Sequence, residues 1–169
     1  MSIITNTTVV SNFAGSGQLD LLRQLFGTLH ISAEVYQEIQ AGLQEGYRFY
    51  RDFDTHVYPL SARGWIRLTG LRDRELAILG ALPAHLHDGE ASCIAIAENR
   101  GWWFLSDDLA ARTLASARGV RLSGSVGCLV MVVERDVIPL AQANDLLQRM
   151  IRQGYRSPVS DLAPLVRHR

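Results

Sequence analysis

Short apolar runs that suit buried strands alternate along the chain with longer stretches that have the spacing of helices. Ile3–Thr5 is the first such run, and 102–105 is apolar throughout, as in the central strands of parallel sheets. Further strands are expected at 29–31, 65–68 and 120–122. Helices are expected at 19–26, 32–46 (with Ser32 as its cap), 74–82, 88–100, 108–118, 124–133 and 140–150. Residues 47–50 suggest a further helix, and Asn6-Thr7-Thr8 is expected to be a loop. This alternation favours an α/β fold, a three-layer sandwich in which helices flank a central parallel β-sheet.

The composition is that of a globular protein. The chain has 169 residues, no net charge and 47% hydrophobic residues, and we expect a single domain over 1–169. It lacks an apolar stretch of about eighteen residues and a signal peptide, so we expect a cytoplasmic protein without a membrane span. Cys93 and Cys128 lie in apolar helical stretches and are expected to be buried thiols.

All 17 basic residues are arginine, and the chain contains no lysine. Arginine binds phosphate through two hydrogen bonds, but a lysine-free composition is more simply a coding bias. Together with the neutral net charge, this neither supports nor excludes RNA as a ligand. Arg156, Arg167 and Arg169 near the C-terminus could steer RNA or only solvate the tail.

Acidic and amide side chains occur where expected strands end, which is the edge at which open parallel sheets bind ligands. Asn6 follows the first strand, and Asp107 and Asp108 follow the strand at 102–105. Glu90 opens the helix that leads into that strand, and Glu38 lies beside the apolar stripe of its own helix. Converging carboxylates repel one another unless a cation is present, and hard oxygen ligands favour Mg²⁺ or Mn²⁺. The pattern therefore indicates a candidate acidic metal site.

Several short segments, spread over most of the chain, resemble those of PIN-domain nucleases in their order and spacing. They are 3–12, Val35-Tyr36-Gln37-Glu38, the stretch from Asp88-Gly89-Glu90 to Ala97, 105–112, Gly124-Ser125-Val126-Gly127 and 154–157. The resemblance implies a parallel sheet flanked by helices and an RNA-cleaving activity that depends on Mg²⁺ or Mn²⁺. Many bacterial members are toxins paired with antitoxins, often as dimers. RNA, an antitoxin and a second copy of the chain are therefore the expected partners.

The resemblance also implies residue roles. Glu38, Glu90 and Asp107 or Asp108 would hold the ion, with Asn6 beside them. The residues expected to contact substrate are Thr7, Arg112 and Ser125.

One departure from the family concerns Asn6, because the opening strand of PIN domains usually ends in aspartate. An amide oxygen can bind a metal or a water molecule but brings no charge, so metal affinity should fall. Two hypotheses follow: a Mg²⁺- or Mn²⁺-dependent endoribonuclease, such as the toxin of a toxin–antitoxin pair, or a catalytically impaired member that binds RNA or a protein partner. A different phosphate-handling α/β enzyme ranks last, because the sequence has no Walker loop, nucleophile elbow or dinucleotide fingerprint.

The candidate residues also have purely structural interpretations. Helix capping is the alternative for three of them, Asp88, Asp107 and Ser125. Asp108 could pair with Arg112 one turn later, and Glu90 could interact only with the dipole of its helix. Glu34 lies on nearly the same helix face as Glu38, and we choose Glu38 because Val35 precedes it as in the family motif.

Overall fold

All strands of the sheet run in the same direction. A computed structural model describes residues 1–167, and in them six strands form one parallel sheet in the order β3-β4-β2-β1-β5-β6. The strands are β1 (Ile3–Thr5), β2 (Leu29–Ser32), β3 (Val57–Tyr58), β4 (Ile66–Thr69), β5 (Trp103–Leu105) and β6 (Arg121–Ser123). The α-helices are α1 (Thr7–Gly15), α2 (Leu19–Phe26), α3 (Ala33–Gln44), α4 (Asp73–Ala81), α5 (Asp88–Arg100), α6 (Leu109–Ala117), α7 (Ser125–Glu134) and α8 (Leu140–Arg152).

Helices cover both faces of this sheet. On one face α5 contacts β1, β2 and β5, and α3, α4 and α6 pack against α5. On the other face α1, α2, α7 and α8 pack against one another. In the centre of the sheet, Ile4 of β1 pairs with His30 of β2 on one side and with Phe104 of β5 on the other. The predicted three-layer α/β architecture is confirmed.

Helix α5 is buried, as its apolar sequence predicts. Its residues from 91 to 97 are all buried beneath the neighbouring helices and against the sheet. Gly101 ends the helix in the left-handed conformation, with φ of 65°, which glycine adopts without steric cost. Because α5 is packed on all sides, its first turn is held firmly at the edge of the sheet where the strands end.

The beginning of the chain differs from the sequence-based expectation. Asn6-Thr7-Thr8 was expected to be a loop, but α1 begins at Thr7, directly after β1. Asn6 caps this helix, because its side-chain oxygen accepts a hydrogen bond from the backbone N–H of Thr8. Threonine and valine are weak helix formers, but burial of the α1 residues Val9, Val10 and Phe13 outweighs that preference.

The segment between α3 and α5 was only partly predicted. Residues 47–50 suggested a helix but form only a short 3₁₀ turn, Arg48–Tyr50, and a second 3₁₀ turn covers Phe53–His56. Strand β3 was not predicted because it has only two residues. Strand β4 and helix α4 are confirmed, each displaced by one residue from the predicted range.

Both cysteines are buried free thiols, as predicted. Burial raises the pKa of each thiol, so both remain protonated and unreactive at neutral pH. Residues 1–167 contain no helix with the length and apolar character that crossing a bilayer requires.

A buried ion pair joins α4 to α5. The Glu75 side chain is fully buried and accepts hydrogen bonds from the Arg100 guanidinium, including one of 2.5 Å from Nε, and from the Asn99 amide at 3.0 Å. Burial alone would raise the pKa of Glu75, but the hydrogen bonds from Arg100, Asn99 and the Arg72 backbone, with the charge of Arg100, lower it to about 2. This pair fixes α4 against the C-terminal end of α5.

We predict that Glu75→Gln lowers the free energy of unfolding at pH 7 by roughly 3 kcal/mol, because it leaves the Arg100 charge without its partner. The pKa of Glu75 is lower in the folded state than its ordinary value of 4.5. The stabilisation is therefore complete above about pH 4.5 and is lost as the pH falls toward 2. In urea denaturation, the difference in unfolding free energy between wild type and Glu75→Gln should become smaller from pH 7 to pH 3.

The matched control is Glu98→Gln, which breaks the more exposed pair between Glu98 and Arg118. It should change the free energy of unfolding by less than about 1 kcal/mol. This assignment would be contradicted if the two variants lost the same amount of unfolding free energy, or if the loss caused by Glu75→Gln did not depend on pH.

Candidate active site

Asn6 lies at the centre of the edge where β1 and β5 end. Its side chain is 1% exposed, and both ends of its amide are engaged. Nδ2 donates to Ser106 Oγ at 2.8 Å, while Oδ1 accepts from the Thr8 hydroxyl at 2.7 Å and from the Thr8 backbone N–H at 3.2 Å. Asn6 therefore joins the end of β1 to the end of β5 and to the first turn of α1.

Glu38 reaches from α3 to the first turns of α1 and α5. Its Oε2 accepts a hydrogen bond of 2.5 Å from the Thr7 hydroxyl, and its Oε1 accepts one of 3.1 Å from the backbone N–H of Gly89. A Cβ atom at Gly89 would lie 2.5 Å from Oε1, so glycine is needed for this close approach. Glu34, the alternative on the same helix, lines a separate cavity with Asp88.

Glu90 is buried beside two other carboxylates. Its side chain projects from the first turn of α5, and the residue is 8% exposed. Burial, then the negative charge of Asp108, and then that of Glu38 raise the pKa of Glu90, and His87 opposes them only in part. The two ion pairs found in residues 1–167, Glu75–Arg100 and Glu98–Arg118, both lie elsewhere. The charge of Glu90 is therefore repelled by its neighbours without an arginine to balance it.

Asp107 and Asp108 have different roles. Asp107 accepts hydrogen bonds from Asn12 Nδ2 at 2.9 Å, from the backbone N–H of Ser125 at 2.8 Å, from the Ser125 hydroxyl, and from the Tyr155 hydroxyl at 3.3 Å. Asp108 caps α6, because its Oδ1 accepts from the backbone N–H of Ala111 at 2.7 Å. Of these two aspartates, Asp108 is the one whose charge raises the pKa of Glu90.

The family is decided by a match that covers almost the whole chain. The model of the family DUF3368, a PIN domain, matches residues 2–167. The chain belongs to the PIN-domain family. Its fold is thus of the nuclease type. No curated protein matches the chain.

In this PIN domain four carboxylates, which we call the acidic edge, surround the start of α1 and α5: Glu38, Glu90, Asp107 and Asp108. Residues 1–167 contain no group of three or more His, Cys, Asp or Glu side chains placed to hold a metal ion. Mg²⁺ does not require such a group, since it keeps several water molecules and is commonly bound through one or two carboxylates. The oxygen-only donors and the unbalanced charge at Glu90 fit a hard divalent cation.

Three structural roles expected from the sequence are different in the PIN domain. Ser125 does not cap α7, since Gly124 occupies the cap position and both donors of Ser125 serve Asp107. Asp88 is the first residue of α5 rather than its cap, and it is exposed. Arg112 forms no ion pair with Asp108, because its Nη1 donates to the carbonyls of Ser106 and Ser123 at 2.8 and 2.9 Å.

Two side chains of the site, Asn12 and Tyr155, lie in segments that resemble the family, but the sequence analysis assigned them no role. Asn12 donates both to Asp107 and to Ser125, whose hydroxyl is 3.1 Å from its Nδ2. It lies four residues after Thr8, whose hydroxyl accepts a hydrogen bond from the backbone N–H of Asp107. Two side chains on one face of α1 therefore contact Asp107. Recognising α1 as a helix would have revealed this face. Tyr155 follows the last helix, and no local pattern indicates its contact.

We predict that Asp107→Asn destabilises the protein more than Asp108→Asn, although both remove one negative charge. At position 107 an amide nitrogen would face Asn12 and Ser125 donors, which should lower the free energy of unfolding by about 2–3 kcal/mol. At position 108 asparagine caps helices as well as aspartate, so the change should stay within about 0.5 kcal/mol. Chemical denaturation measures both values. Similar losses would show that Asp107 is not the structural centre of the edge.

Proposed function

We propose that this PIN domain is a cytoplasmic endoribonuclease that depends on Mg²⁺ or Mn²⁺. The observation that carries the proposal is the buried carboxylate of Glu90, whose pKa is raised by burial and by the neighbouring charges of Asp108 and Glu38. A buried carboxylate among other carboxylates is costly unless a cation offsets the repulsion. PIN-family membership makes a nuclease site the best-supported reason for that arrangement.

The candidate ligands are Glu38, Glu90 and Asp108, of which one or two would bind the ion directly and the others through water molecules that the ion retains. Of the two adjacent aspartates, Asp108 is the better ligand, because Asp107 already accepts four hydrogen bonds from protein groups. When bound, a divalent cation supplies positive charge that offsets the charge developing on a phosphodiester. In this proposal Thr7 and Gly89 orient Glu38, and Asp107 holds α1 and α7 in place.

The contacts suggest which expected substrate residues are free to act. The Thr7 hydroxyl donates a hydrogen bond to Glu38, and the Ser125 hydroxyl donates one to Asp107. The proposed role of both hydroxyls is therefore to position these carboxylates. Arg112 is anchored through Nη1, and its positive charge remains on the wall of a cavity that Asp108 also lines. A toxin role, an antitoxin partner and a homodimer are proposals that rest on the family resemblance alone.

Asn6 favours a second candidate, a PIN domain that binds RNA or a protein partner without cleaving RNA. Its amide is uncharged, buried and already hydrogen bonded to Ser106 and Thr8. The site therefore has one negative charge fewer than a PIN domain with aspartate at this position, and its affinity for a cation should be lower.

For the nuclease we predict cleavage of single-stranded RNA that requires Mg²⁺ or Mn²⁺ and stops on addition of a chelator. Glu38→Gln should lower kcat/KM by at least about a hundredfold, since the loss of metal-assisted charge stabilisation costs several kcal/mol. Glu34→Gln, one turn earlier on α3, is the matched control and should retain wild-type activity. Cleavage that persists in chelator would rule out the metal-dependent mechanism.

A separate measurement tests metal binding without activity. Mg²⁺ or Mn²⁺ should raise the Tm by roughly 2–4 °C for each kcal/mol by which the ion, at the concentration used, increases the free energy of unfolding, and Glu90→Gln should remove most of this shift. Asn6→Asp should increase the shift, because the Ser106 hydroxyl can reverse and donate to the new carboxylate. Activity that appears only in Asn6→Asp would favour the impaired candidate for the natural chain.

A further inference from the structure

A groove crosses the protein along α1. It consists of three adjoining cavities of about 640, 330 and 740 Å³. The first and second cavities share the wall residues Ser11, Asn12 and Gln153. The second and third share Asp107, Asp108, Tyr155 and Arg156. Glu38 lines the first cavity, so the groove passes along the acidic edge.

One end of the groove is aromatic. Tyr47 and Phe49 line the first cavity and are 53% and 41% exposed, with their ring centroids 5.8 Å apart. Phe49 packs edge to face against the buried ring of Tyr50, whose centroid is 4.5 Å away and which also lines this cavity. Exposed aromatic rings on a fixed support present flat faces, and nucleobases stack on such faces whatever their identity.

The two ends of the groove differ in the charged side chains that line them. Among the described residues that line the aromatic cavity, Glu38 and Glu45 are acidic and none is basic, so a phosphate is disfavoured there and a neutral base is not. The third cavity is lined by Arg112 and Arg156 as well as by Asp107 and Asp108, and Arg156 is exposed. Asp107 already accepts four hydrogen bonds from protein groups, and the two arginines are the groups at that end that can bind a phosphate.

We propose that this groove binds single-stranded RNA, with an unpaired base stacked on Tyr47 and Phe49 and backbone phosphates against Arg112 and Arg156. The nucleotides between these two ends then cross the acidic edge. The assignment rests on the proposed function in taking RNA as the substrate. Double-stranded RNA does not fit, because its bases are already stacked and paired and cannot occupy the aromatic cavity.

Binding is measured by fluorescence anisotropy with a fluorescein-labelled ten-nucleotide single-stranded RNA, in chelator so that no cleavage occurs. Tyr47→Ala should weaken binding by roughly five- to a hundredfold, and Tyr47→Phe should keep it within about twofold, because stacking needs the ring and not the hydroxyl. The control is Tyr58→Ala, which removes an exposed tyrosine on β3. Arg156→Gln should weaken binding and reduce the salt dependence by about one counterion.

Equal affinities for wild type and Tyr47→Ala would overturn the groove assignment, as would equal competition by a duplex of the same sequence. The assignment would also be overturned if a protein partner occupied the groove and RNA affinity were the same in wild type and Tyr47→Ala. Cleavage assays separate this proposal from the preceding one. If RNA binding depends on Tyr47 but no metal-dependent cleavage is found, only the nuclease proposal is refuted. If RNA is cleaved and the KM is unchanged in Tyr47→Ala, only the groove proposal is refuted.

Discussion

The carboxylate of Asp107 holds together three parts of the chain that are distant in sequence. It accepts hydrogen bonds from Asn12 in α1, Ser125 in α7 and Tyr155 after α8. A parallel sheet brings the ends of its strands to one edge, but it does not by itself fix how the following helices meet there. Asp107 supplies that connection on one side of α1, and Glu38 supplies it on the other through Thr7 and Gly89. The groove and the acidic edge both depend on these two carboxylates.

Two buried glutamates show how the same side chain can serve stability or ligand binding. Glu75 is surrounded by donors and the charge of Arg100, and its pKa is lowered to about 2. Burial and the charges of Asp108 and Glu38 instead raise the pKa of Glu90. Glu75 is thus stabilised within the protein, whereas Glu90 would gain from a cation that comes from outside. This contrast is physical support for the candidate metal site that does not depend on the family.

The sequence predicted those features that come from local pattern. The apolar runs located most strands, and Ser32 was correctly predicted to cap α3. The part of α5 that is apolar on nearly every face correctly indicated a buried helix. Helix α1 was missed because its threonines and valines favour strands locally, and only tertiary burial makes it helical. The distinct roles of Asp107 and Asp108 could not be derived from sequence, since they depend on donors up to 95 residues away along the chain. The assignment of individual residues to metal or substrate stays a prediction.

The glycines beside the acidic edge make it sensitive to volume as well as to charge. A Cβ atom at Gly89 would lie 2.5 Å from Glu38 Oε1, and one at Gly124 would lie 2.6 Å from Asp107 Oδ1. One methyl group at either position would displace a carboxylate while the net charge stayed the same, and glutamine in place of glutamate would do the reverse. Shape and electrostatics at the acidic edge can therefore be varied independently in this protein.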